Sequence, residues 1–301
     1  MFDVIIVGAG PAGITCALRT KELNLKPLLL DSEVIANTIV NYSIGKKLFG
    51  VPGFYQGNPK DLVNFYKKDL KHADIDVREG QKVVSIVKKD GVFEVCSKTD
   101  KFKSKSVVLA IGVQGTPQTL GILGEDKKHV HYKLDDPQKY AGKDVVVVGG
   151  GDTSIEAAIA LSNAGANVII SYRRDSFFRA KELNVKHLDD SGAIIKFSTN
   201  LSEIKSKKVL LRHSTNNVSE IKADYVFVLL GNVKNTAFYK EIGLDLDDKD
   251  QIVYDSKTRE STIPGLFVAG DIASCEKLIM PAMCQGFKVA TSVMMYKSRV
   301  K

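Results

Sequence analysis

One short pattern occurs twice in this 301-residue chain, half a chain apart, and it restricts the available folds more than any other feature. Gly8-Ala9-Gly10-Pro11-Ala12-Gly13 follows the β-branched run Val4-Ile5-Ile6-Val7, and Gly149-Gly150-Gly151-Asp152-Thr153-Ser154 follows Val145-Val146-Val147-Val148. Each loop opens an alanine-rich helical stretch, 12–24 in the first case and 153–164 in the second. Strand, glycine loop and helix in that order place a pyrophosphate at a helix N-terminus, where unpaired N–H groups and the helix dipole favour negative charge. One such loop is a weak signal. Two imply two dinucleotides, and two dinucleotides facing each other imply hydride transfer. The expected class is α/β, with two Rossmann-like three-layer nucleotide-binding domains.

The residues after each unit distinguish the two. Pro27-Leu28-Leu29-Leu30-Asp31 reads as the second strand of a βαβ unit. Asp31 stands where an acidic side chain accepts hydrogen bonds from an adenosine ribose; the bland alternative is a solvated strand-end aspartate. The matching strand of the second unit, Val168-Ile169-Ile170-Ser171, ends in Tyr172-Arg173-Arg174, with Arg179 close behind. Guanidinium groups offer paired donors to a 2′-phosphate, so NADPH is preferred over NADH, unless one of the arginines merely faces solvent. Far along the chain, Thr262-Ile263-Pro264-Gly265-Leu266-Phe267-Val268-Ala269-Gly270-Asp271 reads as a turn, a buried strand and a Gly-Asp pair before a helix over 282–296. An aspartate there can bind a ribityl hydroxyl, and the helix N-terminus faces the electron-rich pyrimidine side of a flavin. If that element shares the first loop's site, the FAD domain is discontinuous: 1–114 and 236–301, with an NADPH-binding domain, 115–235, inserted between.

Turn signals crowd 41–59, a helix is expected over 61–71, and short strands over 83–87 and 92–96 lead into Val107-Val108-Leu109-Ala110-Ile111-Gly112. Apolar residues make up 44% and charged residues 26%, the balance of a chain that buries a sizeable core. No apolar run approaches the ~20 residues of a membrane span, and Met1-Phe2-Asp3 enters the first strand at once. A soluble cytoplasmic protein, without membrane or nucleic-acid partners, is expected. The net charge of +8 attracts nucleic acid, anionic lipid or acidic protein in principle. Its lysines are dispersed, however, in short runs such as Lys101-Phe102-Lys103-Ser104-Lys105 and Lys205-Ser206-Lys207-Lys208, without the interleaved aromatics of a nucleic-acid platform. They read as solvated surface or as a face for an acidic partner. Cys16, Cys96, Cys275 and Cys284 form no CxxC pair and no metal cluster, which fits a reducing compartment. His129 and His131 have no second ligand pair and read as surface or cofactor-lining residues; no metal is expected.

The first glycine loop, Ala110-Ile111-Gly112, the second loop with Glu156, Arg173-Arg174 with Arg179, and Ala269-Gly270-Asp271 together resemble the low-molecular-weight thioredoxin-reductase-like flavoproteins, across essentially the whole chain. The resemblance implies FAD, held by Gly8, Gly10, Pro11, Ala12, Gly13, Asp31, Asn41, Gly112, Gly270, Asp271 and Ile272. It implies NADPH, held by Gly149, Gly151, Asp152, Thr153, Ser154, Glu156, Arg173, Arg174, Arg179 and Gly231. It also implies a homodimer, and hinges at 112–116 and 231–235 about which the two domains rotate.

Departures from the family pattern carry as much information. Thioredoxin reductases have a CxxC just upstream of the second loop, where this chain reads His129-Val130-His131-Tyr132-Lys133-Leu134-Asp135-Asp136. Without paired thiols a flavin cannot pass electrons through an intramolecular disulfide. Val130-His131-Tyr132, Val51-Pro52-Gly53-Phe54 and the segment from Arg173 to Ala180 are similar to thioredoxin-reductase-like ferredoxin–NADP reductases. That group usually adds a C-terminal extension over the flavin, whereas this chain stops at Lys301. Asn37-Thr38-Ile39-Val40-Asn41-Tyr42 is similar to bacillithiol-disulfide-reductase-like proteins, whose cysteine in the first loop is replaced here by Ala12. Ser176-Phe177-Phe178-Arg179 is one residue longer than the usual segment, which leaves the role of Arg179 open.

The reaction implied is hydride transfer from nicotinamide C4 to flavin N5, with the cofactors carrying the chemistry and the protein orienting them. No acid, base or nucleophile is assigned to it. Asp271 and the helix N-terminus beyond it are expected to stabilise negative charge on the reduced flavin. Three outlets stay open. The missing CxxC and the basic charge favour one-electron transfer to ferredoxin or a similar small acidic carrier. The others are reduction of thioredoxin-like or low-molecular-weight disulfides through Cys284 or Cys275, and a non-catalytic redox sensor that holds FAD and NADPH.

Overall fold

In β1 (Phe2–Val7), Val4, Ile5, Ile6 and Val7 are all buried, and alternate side chains enter two different cores. Val4 and Ile6 pack with α1 (Pro11–Glu22), while Ile5 and Val7 join a cluster on the opposite face. A parallel strand covered on both sides has no solvent face, so its sequence is an unbroken apolar run rather than an alternation. Each such side chain contributes about 1.5–3 kcal/mol on burial. The structure is a computed structural model and describes residues 1–41, 48, 50–113, 117–178, 180–215, 217–233, 235–274 and 276–300.

From β1 the chain runs through β2 (Pro27–Leu30), α2 (Asn37–Val40), α3 (Pro59–His72) and β3 (Asp76–Arg78) into β4 (Val83–Lys89), β5 (Val92–Ser97) and β6 (Lys101–Leu109). It then forms β7 (Val130–His131), β8 (Asp144–Val148), α4 (Asp152–Asn163), β9 (Asn167–Ser171), α5 (Glu182–Asp190) and β10 (Ile194–Lys196). Next come β11 (Thr199–Ile204), β12 (Lys208–His213), β13 (Val218–Lys222) and β14 (Tyr225–Val228), and finally α6 (Thr236–Glu241), β15 (Leu266–Val268) and α7 (Ile279–Arg299). Two compact units result, 1–114 with 234–301, and 115–233.

In the first unit β3, β2, β1 and β6 form a parallel sheet in that order. Beyond its β1 side, β6 divides its other edge. Its start pairs antiparallel with β5 (Cys96 opposite Lys101), and its end pairs parallel with β15 (Phe267 opposite Val108). Residues near the end of the chain thereby complete a sheet begun at Phe2. α7 starts at Ile279, three residues earlier than expected, because Pro281 is tolerated in a first turn that has no intrahelical N–H bond to lose. α3 likewise begins at Pro59, with Asn58 Oδ1 accepting from Lys60 N at 2.9 Å.

The second unit repeats the central arrangement in the order β10-β9-β8-β14-β7, all parallel. Val145 and Val147 face the helices α4 and α5, while Val146 and Val148 face an antiparallel sheet, β11-β12-β13. That small sheet is absent from the sequence-based expectation, because its strands mix polar and charged residues with apolar ones and read as charged surface. The Lys205–Lys208 run is its β11–β12 turn, closed by Lys205 N donating to Lys208 O. Among the described residues no helix is long and apolar enough to cross a membrane.

Candidate functional site

Each glycine loop contains glycines required for two different reasons. Gly8 has φ 109°, and a Cβ there would lie 2.3 Å from Ala110 O; one on Gly13 would lie 1.8 Å from Gly8 O. These two permit close packing of strand and helix. Gly10, the N-cap of α1, would place its Cβ in open space, with nothing within 4 Å. No side chain caps α1, so its first-turn N–H groups are left for a ligand or solvent. The open position above an uncapped helix N-terminus fits a phosphate in both shape and field.

The second loop reproduces this. Gly149 has φ 143° and a hypothetical Cβ 2.5 Å from Leu229 O; on Gly150 the Cβ would strike the Tyr172 ring at 2.3 Å. Gly151 caps α4, again without a side-chain cap and again with nothing within 4 Å. Ser154 is fully buried and its Oγ donates to Gly151 O at 2.7 Å, which turns the hydroxyl into the loop rather than outward. Asp152 Oδ1 accepts from Lys181 N at 2.9 Å and Asn184 Nδ2 at 2.7 Å, tying α4 to the start of α5. Thr153 shares this first turn and Glu156 lies one turn on. Arg173 and Arg174 are exposed just past β9. Gly231, at φ 89°, also faces open space, and its carbonyl accepts from Gln118 N at 2.9 Å. Arg179 lies outside the described residues, as do parts of both expected hinges.

Asp31 is bound to the first loop itself. Its Oδ2 accepts from Ala9 N at 2.7 Å and its Oδ1 from Glu33 N at 2.9 Å. Burial pushes its carboxyl above the usual carboxylate range, against those two N–H bonds and with help from Glu33 and Glu79. Asn41 closes α2, donating to Asn37 O at 2.9 Å, and is exposed. Gly112, at φ 64°, opens into space beyond β6.

The Gly-Asp element meets this loop from the far end of the chain. Gly270 N donates to Gln285 Oε1 at 2.9 Å inside the protein, and a Cβ on Gly270 would lie 3.0 Å from that of Ala12. A Cβ on Gly286 would lie 2.0 Å from Ala12 O, so α7 presses directly on the first turn of α1. Asp271 occupies the 3-10 turn Gly270–Ala273; burial raises its carboxyl, with Lys277 opposing. Ile272 packs beneath, into the cluster of Ile5 and Val268. At the turn's other end Ala273 O accepts from Tyr254 Oη at 2.8 Å and Arg259 Nη1 at 2.8 Å. Sequence reasoning missed Tyr254, Arg259 and Gln285. Only Gln285 left a trace, as a lone amide in an apolar stretch of α7. An open phosphate position, an acid held to the loop and a second half-buried acid beside the helix terminus fit FAD.

The thiols do not form a redox centre among the described residues. Cys16 is buried in α1, with its thiol pushed up to about 12 by burial, and is inert. Cys96 Sγ rests 3.8 Å from Glu94 Oε1, and Cys284 is an exposed free thiol on α7. Cys275 lies outside the described residues. The segment that replaces the CxxC is occupied by aromatic packing: His131 lies 5.9 Å from Tyr225 and 5.4 Å from Phe227, ring centre to ring centre. His129 Nε2 sits 3.1 Å from Lys205 O.

A family model described as pyridine nucleotide-disulphide oxidoreductase matches residues 5–270. The chain is 31% identical to a ferredoxin–NADP reductase of Ignicoccus hospitalis, over 95% of both proteins. It superposes on the thioredoxin reductase of T. acidophilum with a TM-score of 0.87 and 28% identity, covering 100% of this chain and 99% of that one. The bacillithiol disulfide reductase of Staphylococcus aureus shares the fold at a TM-score of 0.90 and 22% identity, covering 98% and 99%. The chain therefore belongs to the pyridine nucleotide-disulphide oxidoreductase family, as an NADPH-dependent, FAD-containing oxidoreductase of the thioredoxin-reductase-like, ferredoxin–NADP reductase type.

Proposed function

We propose that this oxidoreductase exchanges electrons between NADPH and a ferredoxin, a small acidic one-electron carrier. The observation that carries the reading is the likeness to a protein named ferredoxin–NADP reductase over 95% of both chains, in a chain without a CxxC. Gly151 and the first turn of α4 hold the pyrophosphate of NADPH, and Arg173 and Arg174 hold its 2′-phosphate. Gly10 and the first turn of α1 hold the pyrophosphate of FAD, Asp31 its ribose and Asp271 its ribityl chain. FAD, when bound, supplies the conversion between two-electron and one-electron chemistry. The protein binds, orients and biases charge; no side chain has to move a proton. With a net charge of +8, attraction to an acidic carrier is long-ranged and screened by salt. A cytoplasmic homodimer completes the proposal.

NADPH-driven reduction of a ferredoxin by the FAD-loaded protein tests it. Multiple turnovers, slowed by salt and unaffected by Cys275→Ser/Cys284→Ser, are expected. No turnover with a ferredoxin, alongside thiol-dependent reduction of a disulfide, would replace it with the second reading. That reading rests on the exposure of Cys284. Repeated turnover with an artificial dye excludes a non-catalytic sensor.

A further inference from the structure

Two adjacent phenylalanines between β9 and α5 take different roles. Phe177 turns inward, stacking on Tyr172 with ring centres 5.4 Å apart and meeting Phe197 edge-on at 5.0 Å. Tyr172 in turn closes over Gly150 of the second loop. Phe178 is 52% exposed, and the guanidinium carbon of Arg174 lies 4.0 Å from its ring centre. The backbone beside the pair is pinned, with Ser198 N donating to Arg174 O at 2.8 Å and Thr199 N donating to Tyr172 O at 3.1 Å. Arg173 has no aromatic ring beneath it among the described residues.

A guanidinium stacked on a ring keeps its N–H edges free while its plane is fixed, and N–H edges are what a phosphate needs. An unsupported arginine is ordered only when the ligand arrives, which subtracts from affinity. We propose that Phe178 is a positioning residue for the 2′-phosphate: its ring presents Arg174, and Phe177 anchors the segment to the glycine loop through Tyr172. Adjacent positions in this segment thus divide between an inward ring, Phe177, and an outward one, Phe178. The inference rests on the second loop being the NADPH site.

Titration calorimetry on the FAD-loaded full chain, with 2′,5′-ADP and 5′-AMP as probes, separates the two claims. Phe178→Leu, which keeps apolar volume but removes the π face, should weaken 2′,5′-ADP about threefold to tenfold and leave 5′-AMP unchanged. Phe178→Trp should retain full affinity, and Phe178→Leu should have no further effect once Arg174→Ala is present. Loss of 2′,5′-ADP affinity in Arg174→Ala but not in Phe178→Leu overturns the role of Phe178 alone. Equal weakening of both probes by Phe178→Leu overturns it as well, since the ring then supports the segment or the base. Undiminished 2′,5′-ADP binding in Arg174→Ala overturns this inference, and a wild-type protein that binds 2′,5′-ADP no more tightly than 5′-AMP overturns the NADPH assignment with it.

Discussion

The two glycine loops are nearly interchangeable in backbone design and unlike in everything that surrounds them. In both, two glycines are forced by packing and a third, Gly10 or Gly151, faces empty space at an uncapped helix. The first loop is then completed by distant chain, with Gly270, Gln285 and Gly286 closing around Ala12. The second is completed within its own unit, by Leu229 and by Tyr172 at the end of β9. A glycine loop announces a phosphate; its flanks decide which nucleotide carries it.

The largest expected effects separate packing glycines from cradle glycines. Gly13→Ala drives a Cβ to 1.8 Å from a backbone oxygen, and should cost more than about 4 kcal/mol, seen as loss of the cooperative unfolding transition. Gly10→Ala and Gly151→Ala meet no protein atom, so both should fold normally. The first should purify without FAD, and the second with FAD but a raised KM for NADPH. If Gly10→Ala keeps its flavin, the open space above Gly10 is not a phosphate position.

Next in size is the contrast between Asp31 and the arginines. Removing a charge-assisted hydrogen bond costs about 1.5–3 kcal/mol, so Arg173→Ala or Arg174→Ala should each raise KM for NADPH about 10- to 100-fold, with little change for NADH. Steady-state kinetics with both nucleotides measures this.

A smaller effect comes from Asp271. Burial raises its folded pKa, so folding favours the protonated form. Its contribution to stability is full below the unfolded carboxylate pKa and is lost as pH rises through the folded value. Asp271→Asn should therefore raise the Tm of flavin-free protein at neutral pH, by a margin that shrinks on acidification, while weakening FAD binding. A lower Tm at neutral pH would show the carboxylate to be favourably paired. The smallest expected effect is that of Cys284→Ser on ferredoxin reduction, which should be none.

Much of this was legible in the sequence because it is local. The central strands are unbroken valine and isoleucine runs, and Asp31 follows its loop at the spacing of a βαβ unit. What escaped depends on contacts between distant residues or on charge that masked periodicity. The hold of Tyr254 and Arg259 on Ala273 O has no local signature, since neither belongs to a nucleotide motif. The alternation in β12 was hidden by lysine and arginine on its outer face. Ser154 matched the loop pattern, yet its hydroxyl faces Gly151 O, because orientation is set by packing rather than by spacing.

The division of labour between the loops is the central claim, and anaerobic stopped-flow absorbance of the flavin tests it most directly. Wild-type protein should be bleached rapidly by NADPH and slowly by NADH, at equal concentrations. Arg173→Ala/Arg174→Ala should carry a full complement of FAD and lose that preference. Survival of the preference, or loss of FAD from the double variant, would contradict the assignment of one nucleotide to each loop.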